Sequence, residues 1–187
     1  EGDWDSFIGQ VFNEWTDDPA HYQDRRWTHV IDDFKIPPSW KIYRGYDHGY
    51  SKPYSLGWFA LDHDGILYRI REDYGCTSEP NTGLQLTVPE IATRIKEIER
   101  TDPNIRGRRV YGIADPAIWG SDTGESIEDM FERAGIYNDK GDHTRLAGLM
   151  QFHYRLSFDQ TGIPMFYCFK SCKQFIRTIP LLIYDDK

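Results

Sequence analysis

Two aspartates stand where a carboxylate could do chemistry. Asp47 lies in the run Tyr43–Tyr50, Tyr-Arg-Gly-Tyr-Asp-His-Gly-Tyr. Strand alternation puts Tyr43, Gly45, Asp47 and Gly49 on one face and Arg44, Tyr46, His48 and Tyr50 on the other. One face then carries a single carboxylate between two residues with no side chain. Glycine weakens a strand unless something must approach its backbone closely, and such a face suits a metal ion with a bulky ligand resting on it. The same stretch also reads as an ordinary Asp at a strand end beside turn glycines. Asp115 closes a second strand-like run just before Pro116, where a turn-forming Asp is equally common. If the two carboxylates meet at one sheet edge, they can hold a divalent cation. Mg²⁺ accepts one or two carboxylates and fills its shell with water and phosphate oxygens. A pair of such ions can activate a water and stabilise the leaving oxygen in phosphodiester cleavage.

Whether they meet depends on the elements that carry them. Residues 1–41 read as an arm: an amphipathic piece Phe7–Trp15, a polar turn at Asp17–Pro19 and a strand-like Trp27–Ile31, with Pro37-Pro38 halting regular structure. The main domain, 42–187, opens with strands at Ile42–Tyr50, Tyr54–Leu61 and Ile66–Tyr74, the last two joined by the hairpin signal Asp62-His63-Asp64-Gly65. Gly75–Leu86 is a loop. A helix starts at Thr87, where Glu90 completes a capping box; Ile91, Ile95 and Ile98 share a face, and Asp102-Pro103 ends it. The fourth strand is Arg109–Ala114. A helix from Ser126 with Ile127, Met130, Phe131 and Ala134 inward stops at Gly135. Ile136-Tyr137 reads as a short fifth strand. A third helix, about His143–Leu156, buries Leu146, Leu149, Met150 and His153, with His153 a core residue rather than a ligand. After a turn at Asp159–Gly162 come strand-like Met165–Phe169, a short helix capped by Ser171 and running to Pro180, and an extended Leu181–Tyr184.

The order β-β-β-α-β-α-β-α describes an α/β mixed sheet, three antiparallel strands followed by parallel ones, with helices on both faces. A right-handed helical crossover commonly returns the chain beside an earlier strand. The vacancy for the fourth strand is next to the first, parallel to it, which brings Asp115 to Asp47.

Composition narrows the class. A chain of 187 residues is one domain, or one domain and an arm. Hydrophobic content is 39%, and the 15% of aromatics can supply a core in few residues. No apolar run is long enough to cross a membrane. Cys76, Cys168 and Cys172 follow no framework spacing and read as reduced thiols in a cytosolic compartment. A net charge of −8 argues against a simple nucleic-acid coat, yet clustered carboxylates can bind cations that then meet phosphate. The chain begins Glu-Gly-Asp-Trp and reads as a fragment.

Gly-Tyr-Asp-His-Gly at 45–49, the following hairpin and Gly-Ile-Ala-Asp-Pro-Ala at 112–117 resemble the nuclease domain of tailed-bacteriophage terminase large subunits. The stretch Asp142–Tyr154 and the arm run Val11-Phe12-Asn13-Glu14-Trp15 are similar to it too. The resemblance implies a ribonuclease-H-like fold and a divalent-metal-dependent endonuclease using Mg²⁺ or Mn²⁺ at a two-metal site, cutting concatemeric viral DNA during genome packaging. Asp47 and Asp115 become the first-strand and fourth-strand metal ligands. The implied partners are double-stranded DNA, an ATPase domain in the same full-length chain with residues 1–41 as the link to it, the portal and the small terminase subunit; the implied location is the cytoplasm of the infected bacterial host, with no membrane.

Two departures stand out. No Gly-x-x-x-x-Gly-Lys-Ser/Thr phosphate loop is present, so no motor activity is expected of this chain alone. The family also places a third acidic ligand on a helix near the C-terminus, whereas this sequence ends Asp185-Asp186-Lys187. The preferred reading puts the third ligand beyond Lys187; Asp185 or Asp186 is the substitute. Sheet direction sorts the basic residues: Lys52, Lys140 and Arg145 belong at the Asp115 edge and are the candidate phosphate contacts, whereas Arg106, Arg108 and Arg109 belong at the opposite edge. The alternatives are another ribonuclease-H-like nuclease, such as a resolvase or transposase core, and a non-enzymatic module that clamps DNA or docks on the portal.

Overall fold

The computed structural model describes residues 9–121, 124–142 and 144–184, without the Arg145 side chain. Among these residues seven strands form one mixed sheet: β1 (Val30–Ile31), β2 (Lys41–Asp47), β3 (Ser55–Leu61), β4 (Leu67–Tyr74), β5 (Val110–Ala114), β6 (Asp139–Lys140) and β7 (Phe166–Phe169), in the order β1-β7-β4-β3-β2-β5-β6. β2, β3 and β4 form the antiparallel meander, and β5 lies parallel to β2 with Tyr46 opposite Ala114. The expected neighbours of the first strand are therefore the observed ones. β1 extends the sheet through parallel pairing with β7.

Helices cover both faces. On one, Ile42, Tyr46, Leu56, Trp58 and Ala60 are buried beneath α1 (Val88–Thr101) and α2 (Ile127–Arg133). α1 begins at the expected capping box, with Thr87 N–H donating to Glu90 Oε2 at 2.7 Å. Its Ile91 and Ile95 are almost wholly buried, each contributing about 1.5–3 kcal/mol of apolar burial. On the other face, α3 (Arg145–Leu156) sets Phe152 against Phe166, and α4 (Lys173–Thr178) sets Phe175 against Phe166. No helix among the described residues is long and apolar enough to cross a membrane.

Several expected boundaries move. The first strand stops at Asp47, not Tyr50, because the chain folds back tightly at Gly49: a Cβ there would collide with the Lys52 carbonyl oxygen. The fifth strand is Asp139–Lys140, not Ile136-Tyr137. Ile136 is drawn into the core, and the Tyr137 carbonyl accepts from Arg44 Nη2 at 3.1 Å, so neither is available to a ladder. On α3, Leu149 and His153 are half-buried, but Leu146 and Met150 are exposed at 71% and 42%. The helix packs on the sheet through Phe152 and Leu156 instead. Ser171 does not cap α4; the Glu72 carboxylate accepts from Gln174 N–H and Phe175 N–H instead, at 2.7 and 3.0 Å. Leu181 ends a 3-10 turn, and only Ile183 makes an extended bridge, to Gln10. The turn at Asp159–Gly162 forms as expected, with Gly162 at φ 84°. Part of the Phe7–Trp15 piece, together with Asp185 and Asp186, lies outside the described residues.

Candidate active site

The site is built by alternation within β2. Arg44 and Tyr46 point to the face covered by α1 and α2; Gly45 and Asp47 point to the other. A cleft of about 400 Å³ opens there, lined by Gly45, Asp47, Gly57, Arg69, Asp115 and Asp142, among others. The parallel pairing of β2 and β5 brings their C-terminal ends level, and Asp115 N–H donates to the Tyr46 carbonyl at 3.3 Å.

Each carboxylate is held differently. Asp115 Oδ1 accepts from Ala117 N–H at 2.7 Å, capping the 3-10 turn Pro116–Trp119 and leaving Oδ2 for another partner. So the turn-forming role anticipated for an Asp before Pro is real, and the same geometry aims the carboxylate at the cleft. Asp47 is exposed at its strand end, yet the cleft walls strip enough solvent from its carboxyl to raise its pKa. The nearby charge of Asp115 raises it further, and His48 partly opposes the shift. Two like charges sharing one cleft is the condition that a cation relieves. His48 Nδ1 lies 2.7 Å from the Tyr46 hydroxyl, and partial burial lowers its pKa.

The donor set fits a hard cation that keeps most of its water, since two carboxylates are what such an ion takes. Among the described residues no group of three His, Cys, Asp or Glu side chains is close enough to form a fuller cage. Gly45 matches the bare-face reading: it looks into the cleft with only Phe59 at 3.5 Å from where a Cβ would be. Gly49 does not, being a turn glycine.

Of the candidate basic residues, Lys52 and Lys140 stand at the Asp115 end of the sheet. Lys52 is exposed in the β2–β3 loop, beyond the Asp47 end. Lys140 ends β6 opposite Ala114, and its Nζ sits 5.3 Å over the Trp119 ring. Arg145 is the first residue of α3. At the other edge Arg108 donates to the carbonyls of Pro37 and Trp40, so it secures the segment leading into β2. His153 Nδ1 is 2.9 Å from Glu14 Oε1 and its ring packs on Phe12, so it sits half-buried at the margin of the core.

Two cleft residues escaped the sequence reading. Asp142 lies two residues past β6, at the same sheet end as Asp115 after β5, and its Oδ1 accepts from Thr144 N–H and Oγ1. The topological argument that found Asp115 would have found it, had the fifth strand been placed at Asp139–Lys140. Arg69 reaches the cleft floor from β4, where it alternates with the buried Tyr68 and Ile70; its one signal is Gly57 on the neighbouring strand.

The class defined by this arrangement is an α/β domain with paired carboxylates at the C-terminal edge of adjacent parallel strands. Solved structures narrow it. The chain matches the large terminase of a thermophilic bacteriophage in complex with ADP at TM-score 0.69 and 21% identity, over 95% of this chain and 38% of that one. It matches the P22 large terminase nuclease domain at TM-score 0.64 and 16% identity, over 95% of this chain and 81% of that one. The fold is that of a terminase nuclease domain, and the chain spans well under half the length of the thermophilic phage protein. No protein-family model and no curated protein matches the sequence.

Proposed function

We propose that this chain is a divalent-metal-dependent DNA endonuclease domain of a phage terminase large subunit, cutting concatemeric viral DNA during packaging. The observation that carries the reading is the Asp47–Asp115 pair in one cleft, mutually repelling, within a fold shared with the P22 nuclease domain. Asp47 and Asp115 Oδ2 would hold Mg²⁺ or Mn²⁺. Such an ion, held there, would supply hydroxide at neutral pH by lowering the pKa of a water, and positive charge for the leaving oxygen. Neither Asp carries a proton in this scheme; both must be ionised, and Ala117 N–H keeps the Asp115 carboxylate oriented. Lys52, Lys140 and Arg145 would take flanking phosphates of the duplex. The reading extends to an ATPase domain in the full-length chain, to portal and small-subunit partners and to the infected host's cytoplasm.

Supercoiled-plasmid nicking in Mg²⁺ or Mn²⁺ tests it. Asp47→Asn and Asp115→Asn should each lower the rate at least about a thousandfold, the equivalent of several kcal/mol of metal-derived stabilisation, while retaining the parent's circular dichroism. Nicking at parental rate by both variants would refute the carboxylate site. DNA binding by the parent without any metal-dependent nicking would instead favour the clamping module.

A further inference from the structure

The floor of the cleft holds a cation whose hydrogen-bonding capacity the protein leaves largely unused. Arg69 is only 7% exposed, and its guanidinium lies between aromatic rings, 4.5 Å from Phe175 and 5.3 Å from Phe59. Its polar partners are poor. Nη2 reaches the Leu56 carbonyl at 3.5 Å and Glu72 Oε2 at 3.6 Å. Those Glu72 oxygens already accept the first N–H groups of α4. Nε is buried with no partner among the described residues. Arg44 on the other face also has an unpartnered Nε, but both its terminal nitrogens make bonds of 2.7 to 3.1 Å. A buried charge lacking close partners costs free energy that an external anion can recover.

The space above the guanidinium is kept by a glycine. A Cβ on Gly57 would collide with Arg69 Nη1. Gly57 pairs with Gly45, and Asp47 is two residues further along the same face, roughly 7 Å at strand rise. Arg69 and the carboxylate pair thus look into one cleft from neighbouring positions.

We propose that the Arg69 guanidinium is a phosphate seat, taking a non-bridging oxygen of the DNA backbone beside the phosphodiester that lies at Asp47 and Asp115. The inference rests on the nuclease reading and adds to it the residue that sets where the strand lies across the sheet. A guanidinium suits the task because its planar fork can give two parallel N–H donors to one phosphate. Its place between two rings restrains it, so little freedom is lost when the phosphate arrives. Arg69 is a positioning residue here, not a catalytic one.

The test is anisotropy of a fluorescent duplex against salt concentration, in EDTA, for the parent, Arg69→Gln and Gly57→Ala. Both variants should bind more weakly at low salt, and Arg69→Gln should lower the log–log salt slope by about 0.9, the loss of one phosphate contact. Gly57→Ala keeps Arg69 and displaces its guanidinium, so it decides the matter if Arg69→Gln fails to fold by circular dichroism. Parental affinity and slope in the folded variants would make Arg69 a packing residue only. If the seat fails in this way while Asp47→Asn still abolishes nicking, the nuclease reading stands without it. A parent that neither binds nor nicks DNA overturns both.

Discussion

The two faces of β2 are made by alternate residues of one short strand, and they treat charge in opposite ways. On the helix-covered face, Arg44 donates to Glu99 at 2.7 Å and to the Tyr137 carbonyl and Asn138, and Glu99 also accepts from Trp58 Nε1 at 3.1 Å. Asn138 in turn donates twice to Glu128. That network ties α1, α2 and the approach to β6 onto the sheet. On the cleft face, Asp47 meets the like charge of Asp115, and Arg69 has its nearest carboxylate 3.6 Å away. Charges that answer one another hold the fold together on one face; on the other, like carboxylates stand side by side and the arginine has only one distant partner.

The largest effect expected from disturbing this contrast is on the covered face. Glu99→Leu leaves Arg44 Nη1 and Trp58 Nε1 without their acceptor. Breaking a buried pair from one side costs about 3–5 kcal/mol, which urea unfolding should register as a lower midpoint at unchanged slope. A loss below about 1 kcal/mol, the worth of an exposed pair, would mean that the network does not hold the helices. Next in size is the effect on DNA binding. Replacing Lys52, Lys140 and Arg145 together by Ala should flatten the salt dependence of duplex affinity by about 0.9 for each lost phosphate contact. The control is Arg106→Ala with Arg109→Ala at the opposite edge, because Arg108 supports the fold. Equal losses from both sets would place the DNA elsewhere.

The smallest effect has the opposite sign. Asp47 holds its proton more tightly in the folded chain than in the unfolded one, so stability falls as pH rises from the ordinary 3.8 through the raised value, and the penalty persists at neutral pH. Asp47→Asn removes that charge. Its melting temperature in EDTA should equal or exceed the parent's at pH 7, with the difference closing as pH drops below about 3.8. A lower melting temperature at pH 7 would show that Asp47 stabilises the fold.

Period-two alternation, the capping box at Thr87 and the right-handed crossover were enough to read the sheet order around β2 and the meeting of Asp47 with Asp115. These are local or near-local signals. The misplaced features depend on side chains from distant segments. The Tyr137 carbonyl is held by Arg44, which moved β6 downstream of its expected place and hid Asp142. Glu72 on β4 caps α4, a role that nothing near Ser171 announces. The apolar pattern of α3 contained Leu146 and Met150 as readily as Phe152, and only the packed helix distinguishes them. Arg69 is legible only against Gly57 on the neighbouring strand, once the register of β3 and β4 is known.

β7 lies between β1 and β4, although its residues come near the end of the described chain. The meander β2–β4 and then β5 are complete once residue 114 has been made, so the cleft floor can assemble early during synthesis. β1 waits: its partner in the sheet is β7, and the outer edge of β4 stays open until residues 166–169 arrive. An open strand edge invites pairing with another chain. Chains released after β6 should therefore carry the β2–β5 sheet beside an adhesive border and scatter light on standing, while those ending after Phe169 stay clear.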